Sequence, residues 1–261
     1  MAPTALITGA SSGIGAELAR RFAQEGYALV LVARSAERLQ GVADELRRAH
    51  GVSVQVLPLD LSDPSTPEAI TAALRREGIA LDVLVNNAGF GTHGLFATSD
   101  WAAESGMIRV NMVALTHLTR LVLPGMVQRR SGKILNVASL AAFQPGPLMA
   151  VYYASKAYVL SFSEALAEEL RGSGVTVTAL CPGYVPTGFQ TRAGIQHAPS
   201  GTISEILDAR TVAEVGYRGV MRGDPVVIPG FRNQLSVLAV RWAPRTLVRR
   251  LVGRRHANYV L

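Results

Sequence analysis

The sequence predicts an α/β protein, a doubly wound parallel sheet of about seven strands with helices on both faces. Two observations carry the fold class. Apolar, β-branched runs bounded by glycines alternate with helix-length segments through most of the chain, the pattern of a parallel sheet wrapped by helices. The first of these runs empties into a glycine cluster at the start of a helix. A third observation sets the domain count at one: no repeat, low-complexity stretch or long linker divides the 261 residues, which suffice to bury a full core.

In chain order, strands are expected at residues 4–8, 27–33, 52–59, 81–86, 133–138, 175–180 and 226–228, with helices starting near Gly13, Ala36, Pro67, Asp100, Met149 and Thr211. Between the first strand and first helix runs Thr8-Gly9-Ala10-Ser11-Ser12-Gly13-Ile14-Gly15. Glycines there let the backbone turn sharply and let a pyrophosphate approach the amides of a helix start, where the dipole favours negative charge. The spacing is Gly-x-x-x-Gly-x-Gly, not the commoner Gly-x-Gly-x-x-Gly, and a tight turn uses glycines too. Its place between strand and helix favours the dinucleotide reading.

The second strand ends in Ala33-Arg34-Ser35, where such folds inspect the adenosine ribose. An acid there binds the 2′-hydroxyl of NAD; a guanidinium suits a 2′-phosphate. No acid is present, so Arg34, Ser35 and Arg38 favour NADP(H) over NAD(H), against the alternative that Arg34 is a solvated helix-start residue. The third strand leads into Leu59-Asp60-Leu61-Ser62 and the fourth into Asn86-Asn87-Ala88-Gly89, both at the carboxyl edge where ligands bind in open sheets. Asp60 also fits a cap, and Asn86 and Asn87 a turn. Ala88 and Gly89 are small enough to leave room for a ribose or an adenine edge.

Asn111 lies inside a long amphipathic helix running to about Gln128, where its amide competes for backbone hydrogen bonds, so something is expected to use it. Ser139 follows the fifth strand, close enough for a loop to bring its hydroxyl beside Tyr152. In Val151-Tyr152-Tyr153-Ala154-Ser155-Lys156 a phenol and an ammonium share one helical face. A nearby positive charge favours the phenolate and lowers the phenol pKa from its usual value of about 10. Seven Tyr and two Lys in the whole chain make a chance Tyr-x-x-x-Lys a ~0.05 event.

Together these residues resemble the short-chain dehydrogenase/reductase family in its compact, single-domain, NADP-preferring form. The resemblance covers roughly residues 4–187 and rests on Thr8-Gly9-x-x-x-Gly13-x-Gly15, Asn86-Asn87-Ala88-Gly89, Asn111, Ser139, Tyr152-x-x-x-Lys156 and Pro182-Gly183-x-Val185-x-Thr187, in that order. It implies a Rossmann-type sheet in the order 3-2-1-4-5-6-7 and NADP(H)-dependent hydride transfer between the nicotinamide and a carbonyl or secondary alcohol, with carbonyl reduction the expected direction. Tyr152 would be the general acid-base. Lys156 would lower its pKa and bind the nicotinamide ribose, Ser139 would hydrogen-bond the substrate oxygen, and Asn111 would hold a water linking Lys156 to solvent. Gly9, Ser11, Ser12, Gly13, Ile14 and Gly15 would cradle the cofactor with Asp60, Leu61, Asn87, Ala88 and Gly89, while Pro182, Gly183, Val185 and Thr187 would hold the nicotinamide amide. The family also implies a homodimer or homotetramer paired through the helices containing Asn111 and Tyr152. Two alternatives stay open: NAD-linked alcohol oxidation, and a non-catalytic cofactor-binding sensor or scaffold, against which the complete set of four catalytic residues argues.

Residues 90–96, 140–147 and 184–197 are expected to wall the substrate pocket. They contain Phe90, Phe96, Phe143, Tyr184 and Phe189 but no acid, which suits apolar or aromatic carbonyl compounds. His93 and His197 are candidates to orient a substrate, with a solvated loop histidine the alternative. Residues 188–210, rich in Gly, Pro and Ser at the start, read as a lid.

Composition bounds the rest. One cysteine, Cys181, excludes an internal disulfide and a cysteine-rich metal site, so it is expected to be a small buried residue and no metal is expected. The net charge is +7, and residues 225–261 hold seven Arg and no acid, which leaves residues 1–224 with 19 basic against 19 acidic residues. This basic tail, an extension over residues 231–261, has three readings: packing on the domain or a sister subunit, weak contact with an anionic membrane, or nucleic-acid binding, the last not expected. Leu247, Val248, Leu251 and Val252 are expected to share one helical face after Pro244. No uninterrupted apolar run approaches the eighteen or so residues of a membrane span, and nothing resembles a signal peptide. A cytoplasmic, at most membrane-peripheral, protein is expected.

Overall fold

The computed structural model describes residues 2–195 and 205–257. Its seven strands are β1 (Thr4–Thr8), β2 (Ala28–Val32), β3 (Val54–Leu57), β4 (Val83–Asn86), β5 (Gly132–Val137), β6 (Val175–Leu180) and β7 (Val226–Val227). They form one all-parallel sheet in the order β3-β2-β1-β4-β5-β6-β7, as expected. Several are a residue or two shorter than their apolar runs, because residues such as Tyr27 and Val52 pack on the core without joining the ladder. Thr8 pairs with Val32 and Ile7 with Val85, while Asn86 pairs with Asn136 and Val137 with Leu180. Strand ends therefore finish nearly level on one edge, and the chain order reverses there between β1 and β4, the place where open α/β sheets bind ligands.

Ten helices are described: α1 (Gly13–Gln24), α2 (Ala36–His50), α3 (Thr66–Arg76), α4 (Trp101–Ile108), α5 (Leu115–Gln128), α6 (Ala150–Glu169), α7 (Gly188–Ala193), α8 (Ala209–Arg222), α9 (Phe231–Trp242) and α10 (Arg245–Ala257). One face of the sheet carries α1, α2 and α8, and the other carries α3, α5 and α6. On α1 the apolar positions Leu18, Ala19, Phe22 and Ala23 recur at helical spacing and are buried. Phe22 stands edge-on to Tyr27 and Tyr217, with ring centres 5.1 and 5.0 Å apart. Truncating so buried a ring to alanine costs about 3–5 kcal/mol. Close approach of α8 to β7 needs Gly219, since a Cβ there would fall 2.4 Å from Val227 Cγ2.

α4 and α5 are one continuous helix of 28 residues, Trp101–Gln128, joined by a single wide π turn over Arg109–Ala114. The mean hydropathy of 1.3 over its most apolar 18 residues and its length would let it cross a membrane by length and composition alone, although 39% of that window is buried inside the fold. Arg109 and Arg120 interrupt its sequence, which is why a search for unbroken apolar runs passes over it. The buried side, Met107, Asn111, Ala114, Leu115, Leu118 and Thr119, faces the sheet and α6.

The basic tail forms α9 and α10. Only part of the expected apolar face of α10 is inward: Val248, Val252 and His256, four residues apart, are buried, while Leu247 and Leu251 are 50% and 54% exposed. The difference follows from helical geometry, since residues 247 and 251 lie about 100° around the axis from the line that His256 fixes. Asn233 is wholly buried at the start of α9, accepting from Glu205 N at 2.9 Å and donating to Pro229 O at 2.8 Å.

Candidate active site

A cavity of about 490 Å³ opens at the carboxyl edge of the sheet. Its floor at the switch point is a hydrogen-bonded splice between β1 and β4. Thr8 Oγ1 accepts from Asn87 N and Ala88 N, both at 3.0 Å, and Asn87 Nδ2 donates to Thr8 O at 2.9 Å. Gly9 takes φ +67°, and a Cβ on it would fall 2.8 Å from Asn87 Nδ2 and 2.9 Å from Ala88 Cα. The amide-bearing start of α1 therefore lies open over the cavity, lined by Gly9, Ser11, Ser12, Gly13 and Ile14. Backbone donors at a helix start, with no side chain to fill the cradle, fit a dinucleotide pyrophosphate.

Arg34, Ser35, Arg38, Asp60 and Leu61 line one end of this cavity, and Asn87, Ala88 and Gly89 its middle. Arg38 Nε donates to Ser35 Oγ at 3.2 Å, and Arg34 Nη1 lies 3.9 Å from Asp60. Asp60 also accepts from Ser62 N at 2.9 Å, so it is a turn residue as well as a lining one. Arg192 on α7 reaches the same end; burial, then the charges of Arg38 and Arg34, hold its guanidinium below its usual range. Three guanidiniums thus line one end of the cavity, with Asp60 beside Arg34. Sequence reasoning did not reach Arg192, which lies more than 150 positions beyond its neighbours and has no local signal.

Ser139, Tyr152, Lys156, Pro182, Gly183, Tyr184, Val185, Thr187, Phe90 and Phe189 line the other part. Thr187 caps α7 reciprocally with Gln190, its N–H donating to Gln190 Oε1 at 3.0 Å. Lys156 Nζ lies 5.9 Å from the centre of the Tyr152 ring and donates to Val137 O at 2.7 Å. The expected lowering of the Tyr152 pKa is not what this geometry gives. Burial pushes the phenol up to about 12, against a smaller lowering by its hydrogen bond with Ser139, and burial also pushes Lys156 down to about 8. Desolvation of the charged form is the largest cause of both shifts.

Other expectations are corrected. Asn111 is 1% exposed and outside the cavity lining: Nδ2 donates to Phe90 O and Ser155 Oγ, both at 3.0 Å, and Oδ1 accepts from Phe90 N at 3.2 Å. The wide turn of the helix presents it to the Phe90 loop, so a mid-helix amide is used as expected. Gly89 separates it from Lys156; a Cβ there would fall 3.1 Å from Asn111 Oδ1 and 3.5 Å from Lys156 Nζ. Gly15 lies beneath the loop, where a Cβ would fall 2.4 Å from Gly9 O, so it permits the turn without facing the cavity. Asn86 is buried in the core, donating to Asn136 Oδ1 at 2.9 Å and Thr119 Oγ1 at 3.0 Å. Phe143 packs with Ala138, Leu160 and Cys181 instead of walling the pocket. Phe96 is exposed, and His93 Nε2 bonds the backbone O of His256 at 3.0 Å. His197 and most of the lid segment, residues 196–204, lie outside the described residues. Cys181 is fully buried, as expected, and burial pushes its thiol up to about 12.

The sequence also misses the wall contributed by the end of α10, where Arg255 and His256 line the cavity with Met149 and Tyr153. His256 Nδ1 is 2.7 Å from Pro147 O and its Nε2 is 2.9 Å from Tyr153 Oη. No motif marks a tail residue as a pocket residue.

An all-parallel sheet with a dinucleotide-sized cavity at its switch point, and a Tyr-Lys pair in that cavity, defines an α/β protein of the dehydrogenase class. The family model described as short chain dehydrogenase matches residues 3–197, and the chain belongs to that family of oxidoreductases. A relative from Nostoc sp., described as a ketoacyl reductase, is 38% identical over 182 residues, 70% of this chain and 63% of its own. The chain thus spans less than two thirds of that relative. An NADP-dependent 3-hydroxy acid dehydrogenase of Escherichia coli K12 is 40% identical over 184 residues, 69% of this chain and 71% of its own. A solved short-chain dehydrogenase from Sphingobium yanoikuyae in complex with NADPH is 38% identical and superposes with a TM-score of 0.82 over 94% of each chain.

Proposed function

We propose that the protein is an NADP(H)-dependent carbonyl reductase, exchanging hydride between the nicotinamide and the carbonyl or secondary alcohol of an apolar or aromatic substrate. The observation that carries this reading is that Tyr152, Ser139 and Lys156 line the same cavity as the glycine loop. NADPH, when bound, supplies the hydride. Gly9, Ser11, Ser12, Gly13 and Ile14 hold its pyrophosphate, Arg34, Ser35 and Arg38 with Arg192 hold its 2′-phosphate, and Pro182, Gly183, Val185 and Thr187 hold the amide end.

Tyr152 is protonated at neutral pH, as its ordinary value of 10.0 already dictates and its burial reinforces, so it stands ready as the acid that gives a proton to the carbonyl oxygen as negative charge develops there. Ser139 donates to the same oxygen, and donors already in place lower the barrier without reorganising. Lys156 holds the ribose end and refills the proton of Tyr152. Asn111, across Gly89 from Lys156, fixes the Phe90 loop beside this relay through its bonds to Phe90 N and O. Phe90, Tyr184 and Phe189 shape an apolar pocket; the Tyr152 and Phe189 rings are 5.2 Å apart.

The expected assembly is a homo-oligomer paired through the 101–128 helix and α6, whose outer surface includes the exposed Trp101 and Val113. The protein is cytoplasmic and peripheral to membranes. On α9, Phe231, Leu235, Leu238 and Trp242 recur at i, i+4, i+7 and i+11 and are all exposed, Trp242 by 83%, beside Arg232 and Arg241 on a tail without acids. An apolar stripe whose charged neighbours on the helix are arginines suits the interface of an anionic bilayer. A self-complementary contact between two copies would set these arginines against each other.

The test is NADPH consumption against aryl ketones, aliphatic ketones, β-ketoesters and steroid ketones, with NADH in parallel. Turnover with NADPH supports the reading, turnover restricted to NADH and alcohols supports NAD-linked oxidation, and cofactor binding without any turnover supports a sensor or scaffold.

A further inference from the structure

Arg255 is the one arginine among the described residues of the tail that lines the cavity. It follows the buried line Val248, Val252 and His256, and the end of α10 is fixed by the bonds of His256 to Pro147 and Tyr153. Its Nε is shut off from water and has no hydrogen-bond partner. A guanidinium cannot shed its charge by losing a proton. Arg255 as a whole is half-buried, so the charge keeps access to the cavity while the Nε–H lacks an acceptor, and a buried donor without a partner costs free energy that a bound acceptor recovers.

Among the described residues, the cavity lining offers Arg255 no carboxylate. Asp60, the sole carboxylate among the described lining residues, lies beside Arg34 at the ribose-inspecting end. Residues 225–261 contain no acid. Lys156, the other cation near Tyr152, already donates to Val137 O at 2.7 Å and lies 5.9 Å from the centre of the Tyr152 ring.

We propose that Arg255 is the carboxylate-binding residue of the substrate site and that the substrate is an oxo acid, reduced to its hydroxy acid. This rests on the reading of the site as a carbonyl reductase and narrows its substrate class. The planar fork of a guanidinium matches a carboxylate with two parallel hydrogen bonds. The apolar body of the acid lies against Met149, Tyr152 and Phe189, with its carbonyl at Tyr152 and its carboxylate at Arg255. Arg255 binds and orients without touching the reacting atoms, so it sets specificity.

The experiment compares benzoylacetate with its methyl ester in the full chain with NADPH, for wild type, Arg255→Gln and Arg255→Lys. Wild type is expected to favour the acid in kcat/KM, and Arg255→Gln to lose about 10- to 100-fold of that preference, as for a lost hydrogen bond to a charged group. Arg255→Lys should retain part of it. An acid-to-ester ratio unchanged in Arg255→Gln overturns the proposal while leaving the carbonyl-reductase reading intact. If neither compound is reduced, calorimetry with 3-hydroxy-3-phenylpropanoate and its methyl ester reads the subsite directly: acid binding weakened by Arg255→Gln supports it, and acid binding equal in both proteins overturns it.

Discussion

The Tyr153 hydroxyl and His256 Nε2 stand 2.9 Å apart, tying the helix that carries Tyr152 to a residue 103 positions further along the chain. Tyr153 is three residues from Lys156 and does not share its position toward Ser139. Tyr153→Phe is therefore expected to keep turnover while losing one buried hydrogen bond, about 1 kcal/mol. Thermal denaturation should show a Tm lower by about 2–4 °C. An inactive Tyr153→Phe beside an active Tyr152→Phe would reverse the two assignments.

Burial of Lys156 predicts a pH-dependent stability in the cofactor-free protein. Its folded pKa of about 8 lies below the model-compound value of 10.5, so between those pH values the unfolded chain holds more protons and stability rises with pH. Tyr152 and Cys181, both pushed up to about 12, act oppositely above their ordinary values of 10.0 and 9.0. The contribution of Lys156 is isolated by subtraction: from pH 8 to 10.5 wild type should gain up to about 3 kcal/mol relative to Lys156→Met. Urea denaturation across that range measures it, and a constant difference would contradict the burial of a charged lysine.

Arg34, Arg38 and Arg192 converge from α2, its approach and α7 on one end of the cavity. Replacing Arg38 or Arg192 with alanine should weaken NADPH binding about 10- to 100-fold, the worth of a hydrogen bond to a charged group, and leave NADH binding nearly unchanged. Fluorescence titration of both cofactors separates a 2′-phosphate clamp from an ion cluster that only shapes the surface. Equal losses for NADPH and NADH would remove Arg192 from the clamp.

Leu238→Glu and Trp242→Glu on α9 should reduce sedimentation with phosphatidylserine vesicles and leave NADPH binding intact. Binding by the wild type should fall with added salt, because the arginines act through screened charge. Vesicle binding that is unaffected by either substitution would assign the stripe to contacts between copies of the chain.

The fold was legible because its signal is local and repeated. Each strand carries its own apolar run, and the glycine loop needs only Thr8 to Gly15 to announce a nucleotide cradle. Most of the lining was legible for the same reason, since residues at the carboxyl ends of parallel strands share an edge. What the sequence could not give is long-range placement. Arg192, Arg255 and His256 reach the cavity through turns and a final helix whose docking depends on Tyr153 and Pro147. Phe143 was misplaced because its loop folds back on Cys181, and Asn86 because a buried amide can be satisfied by Thr119 and Asn136 as well as by a ligand. For Tyr152 the i, i+4 spacing to Lys156 can be read from the sequence, but the burial that raises its phenol pKa cannot.

The central claim is that Tyr152 hands a proton to a carbonyl oxygen in the cavity it shares with the cofactor. Its most direct test is the rate of NADPH oxidation by wild type and Tyr152→Phe with a ketone substrate, with NADPH affinity measured on the same samples. Loss of about 10²–10⁴-fold in kcat with unchanged affinity is the predicted result. Wild-type kcat in Tyr152→Phe would contradict it.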